Sequence, residues 1–208
     1  MVTTQPGEWI GWHFLKASRR LRYPPYSEVA AGETYTAAGR LQLCRYGMHA
    51  SKRPIDALRY APGWIVCRVR LSGELIEDTD KTVARSRTVL WIADARDTLI
   101  LWACWCAEQA LCRQRKRGRE PDERSWRAIR APEQWVAGKL STADLKAAAA
   151  YAYADDAADA AAYAAAYAAD DADARQARRS VRDAQNAELE RRLLALAPTE
   201  VEQTNRRE

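Results

Sequence analysis

The sequence predicts an α+β protein in which a small mixed or antiparallel sheet packs on a buried helix, followed by a long alanine-rich helix or helical hairpin. Three observations predict this architecture. Trp64–Leu71 alternates apolar and polar residues, which is typical of a half-buried strand. Asp97–Cys112 is apolar on most sides, as a helix near the centre of a core would be. From Ala147 to Ala174, alanine is interrupted only by four tyrosines and six aspartates, and helix propensity is therefore very high.

The first part of the chain is predicted to contain short strands separated by turns. Trp12–Leu15 is apolar and aromatic, and Glu33–Ala37 is bracketed by glycines. Leu41–Arg45 alternates in the manner of a half-buried strand, and Arg85–Ile92 is a further strand or the approach to a helix. Ser51 is expected to cap a short helix over Pro54–Tyr60.

After the apolar helix, composition predicts a basic loop over Arg113–Asp122 and a short helix over Glu123–Arg130. Gly138 lies in the linker that follows. We therefore expect a globular domain over residues 1–138 and a helical tail over residues 139–208.

The tail offers surfaces for assembly and little chemistry. Ser141–Asp144 has the pattern of a capping box, and high helix propensity continues to Pro198. Its first half is acidic and the following turns are basic, so an antiparallel second copy would oppose aspartates and arginines. We expect self-association through this helix, with packing on its own domain as the alternative. The candidate contact residues are Tyr153, Tyr163, Tyr167, Asp155, Asp159, Asp170, Arg175, Arg178 and Arg182.

Composition favours a cytoplasmic protein that does not enter a membrane. The formal net charge is +5, and the first residues contain no apolar run of a secretory signal. The longest apolar stretch, Leu99–Ala107, is far below the roughly 20 residues that span a bilayer. We expect reduced thiols at the five cysteines, Cys44, Cys67, Cys104, Cys106 and Cys112.

No motif in the chain predicts a metal or a cofactor. There are two histidines, His13 and His49, and no CxxC pair. No Walker-type phosphate loop or GxGxxG is present. A thiol nucleophile would need Cys44 beside His49, and burial of Cys44 in a strand would make the thiol inert.

One alternative is enzymatic. The order His13, then Tyr46 or Tyr60, then Glu74 is similar to that of NAD-using ADP-ribosyltransferases. That resemblance implies an aromatic residue that holds nicotinamide and a glutamate that stabilises the developing ribose cation.

A second alternative is electrostatic binding of nucleic acid. Trp126 lies near a basic run in the sequence and could stack on a base. Glu120, Asp122 and Glu123 follow the run and oppose this interpretation. The basic residues are Arg113, Arg115, Lys116, Arg117 and Arg119.

Residues 41–51, with the sequence LQLCRYGMHAS, and residues 66–74, with the sequence VCRVRLSGE, carry a family resemblance. Together they resemble uncharacterised phage and prophage domains that have an LC-x-x-G-(hydrophobic)-H-A-S motif and a V-x-L-x-G-E strand, often followed by alanine-rich helical repeats. The resemblance covers roughly residues 11–112. It implies a non-enzymatic interaction protein that binds a host or phage protein, with a role against host defence. Within the motif, we expect Gly47 to adopt a positive φ angle and His49 to make a structural hydrogen bond.

Overall fold

A computed structural model of the chain describes residues 3–22, 27–146 and 172–198, with the side chains of residues 3–8 and 172–175 excluded. The described residues fall into two compact units. Unit 1 comprises those within Met1–Arg96 and Asn186–Glu208, and unit 2 those within Asp97–Gln185. This division differs from the boundary expected at residue 138, because the end of the tail belongs to unit 1.

Unit 1 is built on an antiparallel sheet, which confirms the predicted α+β class. The strands follow the order β1-β4-β5-β2, and β3 pairs with the other end of β5. Their bounds are Thr3–Leu15 (β1), Thr34–Thr36 (β2), Met48–Ala50 (β3), Ile65–Glu77 (β4) and Thr82–Asp94 (β5). The predicted strands at Trp12–Leu15, Trp64–Leu71 and Arg85–Ile92 are confirmed, and each is longer than the sequence pattern indicated.

The sheet closes through the residue that follows β3. The backbone N–H of Trp12 donates to the Ser51 carbonyl at 2.8 Å, and the Ser51 N–H donates back at 3.0 Å. Since β3 already pairs with β5, this bridge connects β5 to β1 through β3. Register shifts in β4, between Arg68 and Val69 and between Ser72 and Leu75, interrupt its ladder with β5.

One face of the sheet carries the main core of unit 1. Its buried members on the strands include Leu15, Cys67, Val69, Leu71 and Val89. These residues follow the alternation that a pleated strand imposes. The burial of the Cys67 thiol raises its pKa to about 12, so this cysteine is an inert part of the core.

The opposite face of β1 contacts the last helix. We number the helices α1 (Pro54–Leu58), α2 (Arg96–Lys116), α3 (Glu123–Val136) and α4 (Ala172–Leu194). Trp12 is fully buried, and its indole Nε1 donates to Glu190 at 3.4 Å. Arg68 lies over the Trp12 ring at 4.3 Å. Leu189 and Leu193 are also fully buried, so the end of the tail forms part of the packed structure of unit 1.

Unit 2 consists of helices. α3 runs six residues beyond the predicted Arg130 and contains Pro132, and Asp122 caps it by accepting from the Arg124 N–H at 2.7 Å. Ser141 accepts from the Asp144 N–H at 3.2 Å, and residues 142–146 are helical. The predicted cap at Ser141 is therefore confirmed, and Asp144 accepts from the Ser141 hydroxyl at 2.6 Å in place of the backbone N–H that a capping box would use.

Three local predictions are wrong. Leu41–Arg45 is a turn, because Cys44 has a φ of 63° and the Gln42 carbonyl accepts from Arg45 and Tyr46. Ser51 does not cap α1, because its backbone bridges Trp12 and the N-cap is Arg53, which makes no side-chain cap hydrogen bond. α2 is not a core helix, because Cys104 is its one buried residue.

Candidate functional site

A cleft of about 550 Å³ opens in unit 1 beside the inner face of β1. It is bounded by the end of β1, the segment from Thr36 to Ser51, and residues between α1 and β4. Among its described lining residues there is no aspartate or glutamate. Six cationic residues line it, namely Lys16, Arg20, Arg22, Arg45, Lys81 and Arg87. A concave surface lined by one sign of charge concentrates ligands of the opposite sign.

Arg87 is the most deeply buried of these cations. It stands on β5 between Leu71 and Tyr35 in the sheet register, and 3% of its surface is exposed. Its Nη1 donates to the His49 carbonyl at 2.8 Å, whereas its Nε has no hydrogen-bond partner among the described residues. Burial lowers the pKa of the guanidinium to about 10, which leaves it protonated at neutral pH. A buried cation with an unused donor is a strong attractor for an oxyanion.

His13 lines the same cleft from β1, opposite Cys67 in the sheet register. Burial, with Arg87 and His49 as smaller contributions, holds the His13 pKa well below the usual value of 6.5. The imidazole is therefore neutral at pH 7. No described residue forms a hydrogen bond with its ring, so a ligand can use it as a donor or an acceptor.

His49 fixes the loop at the rim of the cleft, residues 41–47, which we call the rim loop. Its Nε2 accepts from the Cys44 N–H at 3.1 Å, and its Nδ1 lies 3.1 Å from the Gly47 carbonyl. Since Nε2 is an acceptor, Nδ1 carries the proton and donates to Gly47. Burial lowers the pKa of His49, which keeps this neutral tautomer at pH 7. The predicted structural hydrogen bond of His49 is confirmed.

Gly47 has a φ of +124°, as predicted, and neighbouring side chains occupy the space that a Cβ would take. A Cβ at this position would overlap Val83 Cγ2 and lie 2.9 Å from Leu41 Cδ2. Within the LC-x-x-G-(hydrophobic)-H-A-S motif, His49 thus binds the Cys44 N–H and pairs with β5, whereas Ser51 bridges to Trp12 on β1.

A polar cluster stands at the mouth of the cleft. Lys81 Nζ donates to the Tyr60 hydroxyl at 3.2 Å and lies 4.4 Å from the centre of the Tyr60 ring. The Tyr60 hydroxyl donates to Asp80 at 2.8 Å, and Arg59 pairs with the same carboxylate oxygen at 3.0 Å. A hydrogen bond with the Cys44 side chain is the largest influence on the Lys81 pKa and raises it. Cys44 is exposed.

The structure brings together two of the three residues of the predicted NAD-using triad. His13 and Tyr46 both line the cleft, as does the alternative aromatic, Tyr60. Glu74 lies on β4 outside the lining residues and forms an ion pair with Arg85. Arg87 and Lys81 were not among the predicted site residues. The available signal for Arg87 was its position two residues before Val89 on a strand.

The other candidate residues that the structure describes are not among the residues that line the cleft. Arg115 forms a bidentate ion pair with Glu120 and lies 5.0 Å from the Trp126 ring. Arg178 and Arg182 are half-buried on α4, and the side chain of Arg175 lies outside the described part of the chain. Six predicted contact residues also lie outside the described residues: Tyr153, Tyr163, Tyr167, Asp155, Asp159 and Asp170. Self-association through the tail therefore stays a prediction.

Within residues 3–22, 27–146 and 172–198, no three His, Cys, Asp or Glu side chains are grouped as a metal site. None of the helices described for this chain combines the length and apolar character needed to cross a membrane.

The fold and the cleft together define an α+β domain with a pocket whose described lining residues include six cations and no carboxylate. Residues 15–100 of the 208 match the model of a family described as Domain of unknown function (DUF7666). The matched range contains Cys44, His49, Lys81 and Arg87, and it begins just after His13. No curated protein and no solved structure matches the chain.

Proposed function

We propose that this chain is a non-enzymatic binding protein whose cleft takes a phosphorylated aromatic ligand of nucleotide size. The observation that carries the proposal is Arg87, which is buried in the cleft with an unpaired Nε and with no carboxylate among the described lining residues. A buried charge without a counter-ion is costly, and a ligand oxyanion would compensate it.

The size and the walls of the cleft favour a nucleotide over a bare phosphate ion. A volume of about 550 Å³ falls in the usual range of about 300–1,000 Å³ for small-molecule sites. Tyr46 and Tyr60 are 44% and 46% exposed and both line the cleft, so each offers aromatic surface to a base, although Lys81 lies over the Tyr60 ring. Phosphate oxygens would reach the guanidinium of Arg87 and the ammonium of Lys81.

The NAD-transfer alternative needs a carboxylate beside the ribose that reacts. Glu74 is engaged by Arg85, and no described lining residue supplies a substitute. We therefore propose nucleotide binding without group transfer, and ADP is a suitable first ligand to test.

Calorimetric titration of the full chain with ADP and with adenosine tests the proposal. We expect adenosine to bind at least tenfold more weakly, because it lacks the phosphates. Arg87→Met should weaken ADP binding about tenfold to hundredfold, which is the usual range for a lost charged hydrogen bond. Methionine retains much of the arginine volume and removes a buried charge, so this variant is expected to fold.

Arg70→Met is the matched control. Arg70 is an exposed arginine on β4, and its register partner is Thr88, which puts it on the other face from Arg87. It should bind ADP within about twofold of the parent. Equal affinity for ADP and adenosine, or unchanged ADP affinity in Arg87→Met, would refute the proposal.

A further inference from the structure

Cys44 differs from every other cysteine of the chain in its surroundings. It is exposed, whereas Cys67 and Cys104 are buried and Cys106 and Cys112 are partly buried. Cys44 itself has a φ of 63°, in the left-handed region, and it lies in the turn over Leu41–Arg45 at the rim of the cleft. The thiol therefore stands where a molecule in solution can reach it.

The thiol also has a cationic neighbour that is fixed in position. Lys81 hydrogen-bonds to the Cys44 side chain and to the Tyr60 hydroxyl, and it lies over the Tyr60 ring. The Cys44 backbone N–H is held by His49 at 3.1 Å. The loop thus presents sulfur and ammonium side by side, so an anionic group bound by the ammonium is held next to the sulfur.

A second, independent observation indicates that the molecule arriving at this thiol is an anion. Cys44 lines the same cleft as Arg87, whose guanidinium is 3% exposed and whose Nε has no partner among the described residues. Arg45 adds an exposed cation at the rim beside Cys44. The carboxylate of Asp80 accepts hydrogen bonds from Tyr60 and Arg59.

We infer that Cys44 is a site of thiol–disulfide exchange selective for low-molecular-weight disulfides that carry carboxylates. The inference rests on the anion-binding cleft proposed above and adds a covalent step at its mouth. The acidic arm of the disulfide enters the cleft toward Lys81 and Arg87, which brings its sulfur pair to the Cys44 Sγ. The mixed disulfide that results occupies the mouth and competes with the nucleotide.

The step is a balanced exchange that needs no other oxidant. The Cys44 thiolate attacks one sulfur of the disulfide, a new S–S bond forms, and the original S–S bond breaks. The departing thiolate takes up the proton that the Cys44 thiol released. Cys44 is oxidised to the mixed disulfide, and one half of the reagent is reduced to a free thiol.

The test compares three small disulfides of different charge on the full chain, with mass spectrometry to follow modification of each cysteine. They are dithiodipropionic acid (anionic), hydroxyethyl disulfide (neutral) and cystamine (cationic). Cys44 is expected to react first with all three, and with the anionic reagent about tenfold or more faster than with the neutral one. Cystamine should be the slowest.

Two lysine variants test whether Lys81 itself, or the overall positive charge of the chain, causes the preference for the anionic disulfide. Lys81→Gln should reduce the rate at which Cys44 reacts with the anionic disulfide about tenfold. Lys52→Gln is the control, because Lys52 is exposed, pairs with Glu77 at 3.1 Å and does not line the cleft. Lys52→Gln should change the rate of this reaction by no more than about twofold relative to the parent chain. Equal rates for the three reagents, an unchanged rate in Lys81→Gln, or faster reaction at Cys106 or Cys112 would overturn the inference.

The outcomes also distinguish this inference from the proposed function. If ADP fails to bind while Cys44 still prefers the anionic disulfide, the nucleotide proposal fails and the exchange site stands. If ADP binds and depends on Arg87 while the thiol shows no charge preference, the exchange site is refuted alone.

Discussion

Among single substitutions in unit 1 that enlarge a side chain, Gly47→Ala should be one of the most destabilising. Gly47 joins the rim turn to β3, with a φ of +124° that side chains rarely adopt. The new Cβ would overlap Val83 Cγ2 and come within 2.9 Å of Leu41 Cδ2 and 3.4 Å of the Ala84 carbonyl oxygen. Val83 and Leu41 are both buried, so neither side chain can move freely away.

Two costs add in this variant. A non-glycine residue held in a sparsely populated backbone region costs about 1–3 kcal/mol. Insertion of a methyl group into a filled site costs about 1–3 kcal/mol more. The expected loss in the free energy of unfolding is therefore about 2–6 kcal/mol. A loss of that size is a large part of the roughly 5–15 kcal/mol that stabilises a typical domain.

Gly32→Ala separates the two costs. Gly32 also has a positive φ, +85°, but no atom lies within 4 Å of the position its Cβ would take. It should lose only the backbone contribution, about 1–3 kcal/mol. Urea unfolding of the parent and both variants, followed by tryptophan fluorescence, gives the comparison. If the two variants lose the same free energy within about 0.5 kcal/mol, the close approach to Val83 is not the cause and the reasoning fails.

Two further predictions concern pH and assembly. The pKa values of His13 and His49 are lowered in the folded chain, so only the unfolded chain takes up these protons as pH falls below its value of about 6.5. Their contribution to stability should be complete above pH 7 and decline below pH 6.5, by at most about 1.4 kcal/mol per pH unit for each histidine. His13→Gln should make the decline in the urea midpoint between pH 7.5 and 5.5 shallower, and an identical decline would contradict the assignment. For assembly, light scattering of the full chain should give a dimer, and replacing Tyr153, Tyr163 and Tyr167 together by serine should give a monomer. A parent chain of monomer mass would rule out self-association; truncation at Gly138 is a poorer test, because it also removes the buried Leu189 and Leu193.

The parts of the fold that were predictable from sequence depend on short-range patterns. Alternation identified β4, whereas the segment that forms β5 was predicted as a strand or the approach to a helix. The cap at Ser141 was predictable because its groups lie within four residues. Leu41–Arg45 also alternates, yet it forms a turn. A left-handed residue at Cys44 and a hydrogen bond from Cys44 to His49, five positions away, decide its conformation, and neither is visible in a hydrophobic pattern.

The candidate site was only partly predictable, for a related reason. His13 and Tyr46 attract attention as residue types, and both line the cleft. Glu74 was expected after a strand, in an order that suited the triad. It lies within β4, at the register shift between Ser72 and Leu75, where it pairs with Arg85. Arg87 was missed because its burial results from Tyr35, Leu71 and the His49 carbonyl, which come from three separate segments.

Arg87 violates the rule that strand residues facing a core are apolar, and the violation is confined to one position. Its neighbours on the same face, Leu71 and Val89, follow the rule. The cost of burying the guanidinium is offset only in part by the hydrogen bond to His49, since the Nε remains unpaired among the described residues. Departures of this kind from sequence–structure consistency are concentrated at functional sites. Methionine would bury no unpaired donor but would lose the hydrogen bond to the His49 carbonyl, so the buried charge supports the proposed anion site.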